Sequence, residues 1–218
     1  MTRTTIIGGH GKIALRLARL LTATGHDVTS WVRNPHHVVD VEAHGATALV
    51  ADVEHLDTGQ MAERLVGQDA VVWSAGAGGG DPARTYAVDR DAAIRSMAAA
   101  EAAGVPRYVM VSYFYARPDH GVPPDSSFFP YADAKAAADR HLLTTGLAWT
   151  ILGPSRLTDD AGTGRIETGP GVAATSVSRD DVAEVIAHVL ETPATSGRTI
   201  DFNNGPMAVP EAIDAARD

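Results

Sequence analysis

Tyr131 and Lys135 stand four residues apart in the run Tyr131-Ala132-Asp133-Ala134-Lys135. On a helix that spacing puts both side chains on one face. A lysine ammonium beside a phenol favours the phenolate and lowers its pKa, so the pair can trade a proton with a carbonyl or an alcohol. Ser112, at the end of Val109-Met110-Val111-Ser112, offers a further hydroxyl. These three are the candidate catalytic residues, with Tyr131 as proton donor and Lys135 assisting. An amphipathic pairing without chemistry would show the same spacing.

A second run, Gly8-Gly9-His10-Gly11-Lys12-Ile13-Ala14, follows the short apolar stretch Thr4–Ile7 and opens a stretch of helical periodicity. Gly8 permits a tight turn, Gly11 leaves the backbone open to a pyrophosphate, and Ala14 allows close helix–strand packing. The amides of the helix N-terminus suit phosphate. An ordinary glycine turn is the alternative, and the position between strand and helix argues against it. Arg33 closes the next apolar run, Ser30-Trp31-Val32-Arg33, where an acid would bind the ribose 2′-hydroxyl of NAD; no acid stands beside it. A guanidinium there matches a 2′-phosphate, which favours NADP(H) over NAD(H); a solvated surface arginine is the other reading. His10 and Lys12 add positive charge near the phosphates, or are solvated. Asp52, in Ala51-Asp52-Val53, either accepts from the adenine amino group or caps the following helix. In Ser74-Ala75-Gly76-Ala77-Gly78 the small residues let the backbone lie close to the ribose and nicotinamide, or simply make a flexible loop. The candidate cofactor contacts are thus Gly8, Gly9, His10, Gly11, Lys12, Ile13, Arg33, Asp52, Val53, Ala75, Gly76, Ala77 and Lys135, which can also hold ribose hydroxyls.

The elements that must position these residues alternate. Strands are expected at Thr4–Ile7, Asp27–Val32, Ala46–Val50, Asp69–Trp73, Arg107–Ser112, Ala148–Leu152 and Thr199–Asn203. Helices are expected over Lys12–Leu21, around Met61 and Leu65 with Asp52 or Asp57 as cap, and over Arg84–Ala103, Pro130–Thr145, Ser178–Leu190 and Val209–Ala216. Ser178 with Asp181 reads as a variant capping box. Strand–helix alternation implies an α/β fold, a doubly wound parallel sheet of Rossmann type, as one domain spanning 1–218 with a small substrate-side cap made of loops. Two long loops, Tyr113–Phe129 and Pro154–Thr175, should start at the carboxyl ends of strands, the edge where ligands bind. The aromatics Tyr113, Phe114, Tyr115, Phe128, Phe129 and Tyr131 either line a pocket there, suited to a flavin or quinone ring, or cover the core.

Composition narrows the function. The chain of 218 residues has a formal charge of −9 and no cysteine, which excludes disulfides, thiolate metal sites and a cysteine nucleophile. No cluster of Lys and Arg suggests nucleic acid as a partner. No run reaches the roughly 18 apolar residues of a membrane span, and the N-terminus is too short in apolar residues for a signal segment. A cytoplasmic protein, monomer or homodimer, acting on a small molecule is the expectation. The nine histidines show no metal-ligand spacing. Neither G-x-S-x-G nor a P-loop pattern occurs.

Gly8–Ala14, Val32-Arg33-Asn34-Pro35, Ala51-Asp52-Val53, Ser74-Ala75-Gly76, Val109–Ser112, Tyr131–Lys135 and Ala148–Pro154 together resemble the short-chain dehydrogenase/reductase superfamily, and within it the small atypical NAD(P)H-binding, NmrA-like branch. The resemblance covers nearly the whole chain. It implies a nicotinamide cofactor and Tyr131 with Lys135 as the catalytic pair, without fixing one activity: some relatives are reductases and others cofactor sensors. Two positions depart from the pattern. The usual hydroxyl after the fifth strand falls on Tyr113 or Phe114, and the usual Arg-Pro-Gly is replaced by Gly153-Pro154-Ser155 with Arg156 displaced. The leading expectation is an NADP(H)-dependent oxidoreductase acting on a small carbonyl, quinone or flavin-like acceptor. The alternative is an NADP(H)-sensing binding protein without turnover. Epimerase or dehydratase chemistry ranks lower, because the short C-terminal portion leaves little room for a sugar-nucleotide domain.

Overall fold

The structure, a computed structural model, describes residues 1–215. Arg3–Ile7 (β1) leads through the glycine turn into Lys12–Ala23 (α1), followed by Asp27–Val32 (β2), Val38–Ala43 (α2) and Thr47–Val50 (β3). Thr58–Leu65 (α3) precedes Ala70–Trp73 (β4). A long helix then runs as Pro82–Thr85 (α4), a π-helical turn Tyr86–Ala92 and Ala93–Ala103 (α5). Arg107–Val111 (β5), Phe129–Leu142 (α6) and Ala148–Pro154 (β6) follow. The C-terminal part comprises Arg156–Thr158 (β7), Arg165–Thr168 (β8), Ser176–Ser178 (β9), Arg179–Glu191 (α7), Arg198–Asn204 (β10), Met207–Ala208 (β11) and Val209–Ala215 (α8). Ala216, expected in the last helix, lies outside the described residues.

Nine strands form one sheet in the order β11-β8-β10-β6-β5-β4-β1-β2-β3. The stretch from β10 to β3 is parallel, as the strand–helix alternation requires. Successive side chains of a strand feed opposite layers. Ile6, Val72 and Val109 join the core under α1, α7 and α8, whereas Ile7, Val71, Trp73, Tyr108 and Met110 join the core under α3, α5 and α6. The fold is a doubly wound α/β sheet of Rossmann type. Its strand order reverses between β1 and β4, and ligands of such sheets bind at that switch point.

The expected loop 154–175 is a correction. It holds β7, which pairs with β9, and β8, which pairs antiparallel with β10 and β11. In β8 only Ile166 is fully buried, so apolar alternation is too short to reveal the strand. Its partners lie about 40 residues later in the chain, and nothing local announces them. The helix after β3 is capped by Asp57, which accepts from Gln60 N–H at 2.8 Å while Gln60 returns a bond to Asp57 N–H at 3.0 Å. Asp52 is therefore not its cap.

Candidate cofactor and active site

Gly8 has φ +89°, and a Cβ there would lie 2.5 Å from the Ala75 Cα at the end of β4. A Cβ on Gly9 would lie 2.5 Å from Ser30 Cβ on β2. Glycine thus lets the turn settle onto both neighbouring strands. Gly9 N–H donates to Trp31 O at 2.8 Å and Gly11 N–H to Gly8 O at 2.9 Å, fixing its shape. Gly11 is the N-cap of α1, and no side chain caps the helix. A turn with glycine at three of its four positions, ending in amides that no side chain caps at the switch point, fits the diphosphate of a dinucleotide.

A cavity of about 300 Å³ continues from this turn along the ends of β2, β3 and β4. Gly8, His10, Gly11, Arg33, Asp52, Val53, Ala75 and Gly76 line it, together with Asn34, His37, Glu54 and Arg84. Of the residues named from sequence, Gly9, Lys12, Ile13, Ala77 and Lys135 lie outside that lining. Lys12 Nζ donates to Asp159 Oδ2, in the segment after β7, at 2.6 Å, an ion pair exposed to solvent. Ile13 is a core residue. His10 stacks on His37 with ring centroids 3.6 Å apart and bonds Asp40 at 2.8 Å.

No acid adjoins Arg33 in the chain, but the fold brings one to it at this end of the cavity. Glu54, 21 residues away, accepts from Arg33 Nη1 at 3.0 Å. The same oxygen accepts from Arg84 Nε at 3.0 Å and Nη2 at 2.8 Å. Burial pushes the Glu54 carboxyl up, but Arg84 and Arg33 outweigh it and hold its pKa below the usual carboxylate value. Asp52 accepts from Glu54 N–H at 3.1 Å and so shapes the turn that presents Glu54.

At the other end, Tyr131 and Lys135 both lie on α6 near the carboxyl edge of β5. Lys135 is fully buried, and its ammonium donates to Val111 O at 2.7 Å. Two buried carboxyls face it electrostatically. Asp89, from the π-helical turn, accepts from Ala77 N–H at 2.9 Å. Asp139, one turn beyond Lys135, accepts from Ser112 Oγ. The Ala77 carbonyl in turn accepts from Arg84 Nη1, so one peptide residue bonds to both clusters. Burial lowers the Lys135 pKa against the pull of Asp139 and Asp89. It raises Asp89, and it raises Asp139 to about 6.

The expected lowering of the Tyr131 pKa is also corrected. Burial raises it, and Asp89 and Asp139 raise it further, so the phenol is held protonated. Ser112 is committed to Asp139. A ring packed against Tyr131 is that of Tyr113, with centroids 5.7 Å apart, and the Tyr113 oxygen is buried with no hydrogen-bond partner among the described residues. The aromatic run divides. Tyr113 and Phe128 pack with Tyr131, Phe129 packs on His120, and Phe114 with Tyr115 lines a cavity beside β10. Asp139 had a trace in the sequence, four residues beyond Lys135. Glu54, Arg84 and Asp89 had none, because the sheet alone brings them to the cleft.

With this geometry in view, the class is clear: an NAD(P)H-binding α/β protein of the atypical dehydrogenase/reductase kind. The chain belongs to the family described as NAD(P)H-binding, which matches residues 8–193. It is 32% identical over 95% of its length to the uncharacterized sugar epimerase YhfK of Bacillus subtilis (strain 168), covering 97% of that protein. Among solved structures, it matches the oxidoreductase ylbE of Lactococcus lactis with 29% identity and a TM-score of 0.88, over 98% of this chain and 95% of that one. A Bacillus halodurans protein, provisionally named an NAD-dependent epimerase/dehydratase, matches with 29% identity and a TM-score of 0.90, over 99% of this chain and 100% of that one.

Proposed function

We propose that the protein is an NADP(H)-dependent reductase of a small carbonyl, quinone or flavin-like acceptor. The observation that carries this reading is the Tyr131–Tyr113 pair at the carboxyl edge of β5: one phenol held protonated, the other an orphaned buried hydroxyl. Two guanidiniums, Arg33 and Arg84, at the adenosine end support NADP(H) over NAD(H). The glycine turn and α1 would hold the diphosphate, and the nicotinamide, when bound, supplies the hydride. The Tyr113 hydroxyl polarises the acceptor oxygen, and Tyr131 donates its proton to it. A phenol with a raised pKa keeps that proton across the neutral range, so the group is present in its donor form. Lys135 acts on the backbone, holding the Val111 carbonyl at the strand end. Sensing without turnover is the second reading, favoured by the commitment of Ser112 to Asp139.

Calorimetric titration with NADPH and NADH, followed by turnover assays on carbonyl and quinone substrates, tests the proposal. Tyr131→Phe is expected to lower kcat by about 10²–10⁴-fold while leaving NADPH affinity within about twofold. No turnover by the wild type, with NADPH binding intact, would favour sensing. No binding of either nucleotide would overturn both readings.

A further inference from the structure

The adenosine end of the cavity contains more charge than a 2′-phosphate site needs. One oxygen of Glu54 collects three N–H donors, one from Arg33 and two from Arg84. The Glu54 side chain is largely buried at 18% exposed, whereas Arg33 is 55% exposed. Asp52 adds a second carboxylate to the same lining. Two guanidiniums and two carboxylates leave the cluster without net charge. A dianionic phosphate arriving there must compete with Glu54 for the guanidiniums that would bind it. A ribose carrying a free 2′-hydroxyl meets no such competition and finds a carboxylate able to accept from it.

We propose that Glu54 is the specificity-determining residue of the adenosine end, a displaceable counterion that Arg33 and Arg84 share and that restrains the preference for a 2′-phosphorylated nucleotide. The proposal deepens the NADP(H) reading and rests on the cofactor occupying this cavity. Its sign is opposite to a purely structural role: a carboxylate that only braced the arginines would, on removal, weaken phosphate binding. If Glu54 competes, removal strengthens it.

The test uses adenosine 2′,5′-bisphosphate and AMP as probes, titrated calorimetrically into the full chain. Glu54→Gln, which keeps size and hydrogen bonding, is expected to tighten adenosine 2′,5′-bisphosphate by about tenfold and to leave AMP unchanged or weaker. Arg84→Gln is expected to weaken the bisphosphate, and to erase the gain when combined with Glu54→Gln. Unchanged or weaker bisphosphate binding by Glu54→Gln, in a variant whose thermal midpoint matches the wild type, overturns the proposal. If the wild type binds both probes equally and Glu54→Gln then gains a preference for the bisphosphate, the role of Glu54 stands and the NADP(H) preference falls. If the wild type binds neither probe, both fall.

Discussion

Asp139 illustrates how one buried residue carries a measurable pH dependence. Burial lifts its carboxyl from the ordinary value of 3.8 to about 6, with Lys135 and Ser112 opposing the lift. Between those values the folded chain binds more protons than the unfolded one. Stability therefore falls as pH rises from about 4 to about 6, and levels off above that. Asp139→Asn keeps an acceptor for Ser112 and removes the titration. Its stability difference between pH 4.5 and 7.5 is expected to shrink by on the order of 2 kcal/mol, measured from urea midpoints. An unchanged slope would assign the titration to Asp89, Asp201 or Glu184, the other carboxyls raised by burial. At this scale the sequence was readable where chemistry is local. The glycine turn, Arg33 and the Tyr131/Lys135 spacing could be seen because neighbours in the chain define them. The partners that reverse their electrostatics could not: Glu54 reaches Arg33 across 21 residues, and Asp89 meets Lys135 from a neighbouring helix far earlier in the chain.

Among the elements, the start of α7 ties together several parts of the C-terminal region. Ser178 accepts from Asp181 N–H at 3.0 Å, as its spacing suggests. The Asp181 carboxylate does not complete a capping box. It accepts from Thr163 N–H at 2.8 Å and Gly164 N–H at 2.7 Å, and from Asn204, so it ties the turn before β8 and the end of β10 to the helix. Asp181→Ala leaves two backbone donors without partners and is expected to cost about 3 kcal/mol, read as a fall in the urea midpoint. A loss no greater than that of an ordinary cap, about 1 kcal/mol, would show that the turn finds other acceptors. The same residue explains why β8 was not visible in the sequence. Its strand is specified by side chains of distant elements rather than by its own pattern, whereas the central strands announce themselves by buried runs such as Ala70–Trp73. The π-helical turn was equally hidden, since its sequence continues a helical pattern while its backbone gains the extra residue that sets Asp89 toward Lys135.

For the molecule as a whole, the switch point between β1 and β4 separates the Arg33–Glu54–Arg84 cluster beside β2 and β3 from the Tyr131–Lys135 cluster beside β5, the proposed adenosine and reaction ends of the cleft. Long apolar strands and helices made that division foreseeable. Ala77 bonds to both ends: its carbonyl accepts from Arg84 Nη1 and its N–H donates to Asp89. The free energies of substitutions at opposite ends should therefore fail to sum. In a double-mutant cycle pairing Glu54→Gln with Asp89→Asn, the coupling in NADPH binding is expected to exceed about 0.5 kcal/mol, where independent ends would give none. Nucleotide recognition and proton placement in this protein would then share one thermodynamic account, and a change in which nucleotide it prefers would bring a change in how it handles protons.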